Sequence, residues 1–334
     1  MAVTLQDVAE RAQVSVRTVS NVVSNYPHIS DATRARVQAA IQELGYQPNL
    51  VARTLRTGKT GIIALSVPEL DVPYFSELAK EVIKQAGEHG YSVIVLQTGN
   101  DLEQEEALLR GNTKNLLFDG LLFTSRVTDA GLVVKRKPRQ APIVLLGEYD
   151  FDGTTDHVAI DNRQAARDAV EYLISSGRKY IAAIGAQPDE VFTTPLQRTL
   201  GYQEALRDGG LNVMPEWLVP AEHYSREDGY LAMRNLLSSN RRPDAVFCFS
   251  DLLAVGALRA AHDFGVKVPD DIAVVGIDDI PEGRYQASSL TTVSINIPYI
   301  AKTALNLLVN RIEDPKRKAQ QCIVPHSLVI RESA

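Results

Sequence analysis

The 334-residue chain is 45% hydrophobic and 23% charged, enough for one large core plus a small satellite domain, and no stretch approaches the ~18 uninterrupted apolar residues of a membrane span. Its two cysteines, Cys248 and Cys322, have neither metal-ligand spacing nor the pattern of a disulfide framework, so neither a metal nor a cofactor is expected. The net charge of -6 disfavours nucleic acid for the body of the chain, but residues 1–60 carry seven Lys or Arg against four acids while the remainder carries 28 against 37, which turns the amino-terminal end alone toward phosphates.

Residues 1–46 hold no plausible strand and three short helical patterns. Thr4, with Asp7 three positions on, starts the first, in which Leu5, Val8 and Ala9 share one face. Ser15 caps the second, whose apolar face is Val19 with Val22 or Val23; Arg17 and Asn21, four apart, fall on its outer face. The third runs from Ser30 to Leu44, burying Val37, Ala40, Ile41 and Leu44, and stops at Gly45. Next comes a linker, 47–60. After Pro48 it places Val51, Ala52 and Leu55 on one side at helical spacing, with Arg53 and Arg56 suited to phosphates, and it is too short to be a stable helix alone. Gly58-Lys59-Thr60 is not a nucleotide-binding loop, because the position five before Gly58 is Arg53 rather than glycine.

From Gly61 strands and helices alternate. IIALSV precedes a helix at 74–89 and YSVIVLQ one at 103–115; GLLFTS and PIVLLG follow; HVAI precedes a helix at 162–176. The pattern recurs as YIAAIG with 198–208, WLV with 226–237, AVFCFS with 251–264, and then IAVVGI. Runs of Val, Ile and Leu without polar alternation are what strands covered on both faces require, so the segment predicts parallel sheets flanked by helices. Two successive sets predict two lobes, about 61–160 and 161–290. The tail (TTVSI, a helix over about 298–311, and HSLVIRE) supplies strands that cross back between them. Ligands of such folds sit beyond the carboxyl ends of the strands, facing the cleft.

At TLQDVAERAQVSVRTVSNVVSN the sequence resembles the LacI/GalR (lactose-repressor) family of bacterial regulators, and the likeness continues through GYQPNLVARTLRTG, VPYF, QRTLGYQEAL, VFCFSDLLAVGAL, VPDDIAVVGIDD and LTTV. It departs at Gln13, where glycine is frequent, and at Ser294-Ile295-Asn296, which leaves effector contacts from that crossover open. The resemblance implies an all-α helix-turn-helix domain followed by a two-lobed, periplasmic-binding-protein-like α/β domain. It also implies a transcriptional regulator, most often a repressor, under small-molecule control.

In a helix-turn-helix the second helix enters the major groove, so Val16, Arg17 and Asn21 are the expected base readers; Arg suits guanine, Asn adenine and Val a thymine methyl. Thr4, Ser15, Thr18 and Ser20 are the expected phosphate contacts. A three-helix module that binds no DNA is the weaker alternative. The resemblance makes 47–60 a hinge helix formed on operator, with Asn49, Val51, Ala52, Arg53 and Leu55 in the minor groove and Leu55 wedged between base steps. It assigns effector binding to Asp71, Tyr74, Phe75, Arg198 and Asp278, with Tyr224 as an aromatic platform and Thr194 and Asp251 as weaker candidates. A structural reading stands beside each: Tyr74 and Phe75 as interlobe core, Arg198 and Asp278 as an ion pair.

Carboxylates, an arginine and aromatics together suit a sugar or sugar phosphate; a purine corepressor is the alternative. The sequence leaves the sign of the response open. Hinge pairing implies a homodimer on a near-palindromic operator, and the absence of a leucine-rich heptad tail predicts no tail-mediated tetramer. Two rivals are weaker. An enzyme would need a catalytic constellation, and neither HExxH, GxSxG nor GxGxxG in context is present. A solute-binding receptor would lack the DNA module.

Overall fold

A computed structural model describes residues 3–23, 26–46, 59–111, 117–125, 141–147, 153–186 and 193–334. The chain divides into two compact units, Met1–Thr60 and Gly61–Ala334. The expected hinge contacts Asn49, Val51, Ala52, Arg53 and Leu55 lie outside the described residues.

In the first unit α1 (Leu5–Ala12), α2 (Val16–Val23) and α3 (Asp31–Leu44) share a miniature core of Val8, Ala9, Ala12, Val19, Val22, Val37, Ala40 and Tyr46. Ile41 and Leu44, expected inside, are half-buried at its rim, and Tyr46 closes it instead. Each helix is started by a hydroxyl that accepts an otherwise unpaired amide: Thr4 from Asp7, Ser15 from Thr18 and Ser30 from Thr33. The Asp7 carboxylate returns the bond to the Thr4 N–H at 2.7 Å, and these contacts with Thr4 hold it below the usual carboxylate range. Gln13 ends α1 at φ 51°, ψ 49°, in the left-handed region that favours glycine. Arg11 bridges α1 to α3 through Glu43 at 2.6 Å.

The second unit begins with β1 (Ile62–Val67), α4 (Pro73–Glu88), β2 (Ser92–Gln97), α5 (Leu102–Leu109), β3 (Gly120–Thr124), β4 (Ile143–Leu146) and β5 (Asp156–Ile160). It continues with α6 (Asn162–Ser175), β6 (Ile181–Ala186), α7 (Thr194–Asp208), β7 (Leu218–Pro220), α8 (Arg226–Ser238), β8 (Ala245–Cys248), α9 (Asp251–Asp263) and β9 (Ala273–Asp278). The tail adds β10 (Thr291–Ile295), α10 (Ile297–Glu313), β11 (Gln321–Val324) and β12 (His326–Val329). Two six-stranded sheets result, ordered β11-β5-β4-β3-β1-β2 and β12-β10-β9-β8-β6-β7. Among the described residues every pairing is parallel except β10 with β12.

Among the described residues the chain crosses between the lobes three times, at Asp161, Asn296 and Pro325, since β5, α10 and β11 belong with the first sheet and α6, β10 and β12 with the second. The second sheet therefore extends to Ile295, past the expected boundary at 290. The tail helix α10 lies on α4 and on strands β3, β4 and β5; at Gly120 a Cβ would come within 2.8 Å of Leu308 Cδ1, so only a bare Cα lets α10 settle there. In the second lobe α8 and α9 meet backbone to backbone. A Cβ at Gly229 would stand 2.0 Å from Leu253 O, and one at Gly256 would stand 1.9 Å from Arg226 O.

Three boundaries differ from expectation. α5 ends at Leu109 rather than 115, with Arg110 capping it and Gly111 turning away at φ 73°. α7 begins four residues early, at Thr194, because Thr193 caps it and Pro195 is accommodated in a first turn that needs no proline N–H. β11 is a strand that patterning missed, since Pro325 cuts the tail into two short pieces that join different sheets.

Candidate functional site

The amino-terminal unit presents Val16 and Arg17 in the exposed first turn of α2, with Asn21 one turn on and half-buried. Ser15, at the mouth of the same helix, shares a 2.9 Å hydrogen bond with the Thr18 hydroxyl; Thr18 and Ser20 are half-buried. The positive amino-terminal end of α2 thus exposes Ser15, Val16 and Arg17, with Asn21 one turn further along the helix from Arg17. Thr4 is different. Its amide and its hydroxyl both donate to Asp7 Oδ2, at 2.7 and 2.8 Å, so with the capping box closed it has no proton to offer a phosphate.

In the second unit the candidates from the two lobes converge. Pro73 opens α4 after a five-residue loop, 68–72, that follows β1, which sets Tyr74 and Phe75 at the carboxyl end of the first sheet. Their rings meet edge to face, 5.1 Å apart, with Phe75 in the core and Tyr74 half-buried. Burial, reinforced by the negative charge of Asp278 and opposed by Arg198, pushes the Tyr74 phenol up to about 12. Arg198 and Asp278 belong to the other lobe, so these two charges act on Tyr74 across the cleft.

Arg198 is 6% exposed. Its Nε donates to Asn162 Oδ1 at 2.8 Å and its Nη1 to the Phe249 carbonyl, which ties α7 to the first crossing and to the β8–α9 corner. Thr194 stands one turn before Arg198 on the same helical face. Asp278 ends β9 at φ 123° and Asp279 follows at φ 55°, two successive non-glycine residues in the left-handed half of conformational space. Asp279 is gripped by Arg331 at 2.5 Å and Arg284 at 3.2 Å. Tyr224, at φ 57°, immediately precedes the capping box of α8 and donates its hydroxyl to the Gly185 carbonyl at the end of β6. Asp71 is exposed and lies in the field of Arg226, which forms a forked pair with Glu282 at 3.1 and 2.7 Å.

Asp251 is placed otherwise than a ligand-binding carboxylate would be. It is wholly buried, and its oxygens accept from Thr292 Oγ1 at 2.6 Å and from the Ile280 N–H at 2.9 Å. Burial and the neighbouring Asp278 raise it to about 8, against the lowering effect of those two hydrogen bonds. Sequence reasoning missed Asn162, which accepts from Arg198, Ile280 and Thr292, which donate to Asp251, and Arg331, which pairs with Asp279 next to Asp278. Asn162, two residues past the end of the strand HVAI, stood at a position where the fold class predicts site residues. Among the described residues no group of three or more His, Cys, Asp or Glu could hold a metal ion, and no helix is long and apolar enough to cross a membrane.

Residues 4–49 match the model of the bacterial regulatory proteins of the lacI family, and residues 170–334 match a periplasmic binding protein-like domain. The HTH-type transcriptional repressor PurR of Erwinia tasmaniensis is 34% identical over 331 residues, covering 99% of this chain and 96% of that protein. The chain belongs to the lacI family. Among solved structures of this family's fold, the Lac repressor dimer bound to operator and the anti-inducer ONPF is 25% identical, with a TM-score of 0.85 over 100% of this chain and 99% of that one. The transcriptional regulator CelR in complex with cellobiose is 29% identical, with a TM-score of 0.73 over 99% and 100%. This lacI-family chain is thus a DNA-binding transcriptional repressor under small-molecule control, built as a helix-turn-helix unit and a two-lobed α/β unit.

Proposed function

We propose that this regulator represses transcription by reading a half-site with Arg17, Asn21 and Val16, and that a carbohydrate or sugar phosphate held between the lobes sets its grip on the operator. The effector site is supported by placement: Tyr74 sits in the first turn of α4 at the carboxyl end of the first sheet, and Arg198 on α7 and Asp278 at the end of β9 in the second lobe are close enough to bear on its phenol. A ligand bridging them therefore touches both lobes and changes the free energy of their relative orientation. Arg198 offers a fork to hydroxyls or an anion, Asp278 accepts from hydroxyls, and Tyr74 and Tyr224 supply ring faces. The cellobiose complex of CelR, aligned over nearly the whole chain, favours a sugar. A nucleobase sandwiched between the same rings is the second reading, favoured by the edge-to-face Tyr74–Phe75 pair beside a carboxylate.

The protein acts in the cytoplasm as a homodimer, by binding rather than by catalysis, with phosphate contacts from Ser15, Thr18 and Ser20. Asn49, Val51, Ala52, Arg53 and Leu55 supply the minor-groove contacts of the paired hinges. Effector and operator are reciprocally coupled, by about 1–3 kcal/mol per linked event. The test is thermal unfolding of the full chain against cellobiose, monosaccharides, sugar phosphates and nucleobases, followed by operator binding with each stabilising compound. A selective rise in melting temperature from a sugar, with a changed operator affinity, is the expected result. A rise from nucleobases alone overturns the carbohydrate assignment, and a stabilising sugar that leaves operator affinity unchanged overturns the coupling.

A further inference from the structure

The corner between β8 and α9 serves two candidate ligands at once. The Phe249 carbonyl receives Arg198, and two residues later the Asp251 carboxylate receives the Ile280 amide, just beyond Asp278 and Asp279. Asp251 Oδ1 also holds Thr292 of β10, in the register where Thr292 pairs with Gly276 of β9. That glycine is sterically required, because a Cβ on it would stand 2.2 Å from Asp251 Oδ1. A carboxylate is therefore packed into the second sheet at the point where β9 leaves its regular course, and the chain beyond it takes two successive positive φ angles.

We propose that Asp251 is a positioning residue of the effector cleft: its carboxylate, lodged between Thr292 and the Ile280 amide above the bare Cα of Gly276, fixes the backbone turn that presents Asp278 to the ligand. The inference rests on the reading of Asp278 as an effector contact and assigns Asp251 a task other than touching the effector. Positive φ at Asp278 and Asp279 costs about 1–2 kcal/mol per residue, so the turn persists only if its far end is held. Ile280 is held by Asp251, and Asp279 by Arg331 and Arg284.

A proton linkage follows. The charged groups around Asp251 are Asp278 at the end of β9 and Asp279 just beyond it, with Arg331 and Arg284 neutralising Asp279. Cys248 of β8 lies within its field, while Arg198 of α7 and Tyr74 of α4 face Asp278. A ligand that donates to Asp278 offsets the charge repelling Asp251, and it adds little desolvation to a group already buried. Asp251 then gives up its proton more easily, a proton is released on binding, and affinity rises with pH toward about 8 before levelling off.

The test uses the full chain and its Asp251→Ala, Asp251→Asn and Thr292→Val variants. Without ligand, Asp251→Ala should speed hydrogen exchange of the 278–284 peptide about tenfold while β6 and β8 exchange as in wild type. Asp251→Asn keeps an acceptor for Ile280 and a partner for Thr292, so it should retain slow exchange but lose ionisation. Because folding raises the Asp251 pKa, its stabilising contribution is complete below about pH 4 and is lost as pH climbs to about 8; the Asn variant should lack that slope. Unchanged exchange in Asp251→Ala, or a wild-type slope in Asp251→Asn, overturns the proposal. If the alanine chain does not fold, the Asn variant's slope and a partial loss of protection in Thr292→Val decide. Cellobiose, or a sugar phosphate that stabilises wild type, should bind Asp251→Ala at least about tenfold more weakly, or 1.4 kcal/mol. If none binds wild type, the carbohydrate reading falls while the exchange and slope data still decide the role of Asp251.

Discussion

Replacing Arg198 separates its two tasks, bracing the second lobe and binding the effector. Alanine leaves Asn162 Oδ1 and the Phe249 carbonyl without the donors they have in wild type, in a site where Asn162 is 4% and Arg198 6% exposed. Each buried acceptor that loses its charged donor costs about 1–3 kcal/mol, and water entering from the cleft recovers part of that, so a net loss of about 3 kcal/mol is expected. Lysine reaches only one of the two acceptors with a single ammonium, and about half that loss is expected. Trp217, the only tryptophan, is buried in the second lobe, so its fluorescence during urea unfolding reports this lobe directly. The same truncation removes a forked, charge-assisted contact worth about 1.5–3 kcal/mol per bond, so effector affinity should fall by about 100-fold or more. Operator affinity without effector should stay within about threefold, because Arg198 lies outside the helix-turn-helix unit. A normal effector response in the alanine variant would refute the placement of the pocket, and unchanged urea stability would refute the bracing role.

Arg17→Ala should cost about 1–3 kcal/mol of operator binding and relax the preference at one base pair, as read by competition with singly substituted operators; a uniform loss on all sequences would make Arg17 a phosphate contact instead. Gln13→Gly should stabilise the amino-terminal unit by about 0.5–1 kcal/mol. It relieves a left-handed φ of 51° at an exposed side chain, and part of the gain is offset by the freer unfolded chain; calorimetry of the full chain checks the sign. Gly256→Ala should lower the urea midpoint followed by Trp217 by at least about 2 kcal/mol equivalent, since its Cβ meets the Arg226 carbonyl at 1.9 Å and the Tyr230 amide at 2.7 Å.

Much of the architecture could be read directly from the chain. Segments such as IIALSV, YIAAIG and AVFCFS are apolar on both faces and became central parallel strands, because only a sheet covered on both sides buries every residue of such a run. Thr4 with Asp7 and Ser30 with Gly45 announced helix ends through local hydrogen bonding that needs no tertiary information. β11 was not legible, since its four residues follow a charged segment and stop at proline, and it exists only through the neighbour that β5 offers. Nor was the difference between Asp251 and Asp278. Both are acids at the carboxyl end of an apolar run. What separates them is the space above Gly276 and a nearby amide, contributed by residues 25 and 29 positions away.

The contact between α8 and α9 limits how this protein can change over evolutionary time. With carbonyl oxygens about 2 Å from where any side chain would begin at Gly229 and Gly256, neither position accepts a side chain unless the two helices move apart. Tyr224 leads into one of them and the Phe249–Asp251 corner into the other. A descendant adapting to a different effector therefore keeps this block and its spacing. It alters instead the side chains carried on the turns at 221–224 and 278–280, where one substitution reshapes the cleft without disturbing the frame.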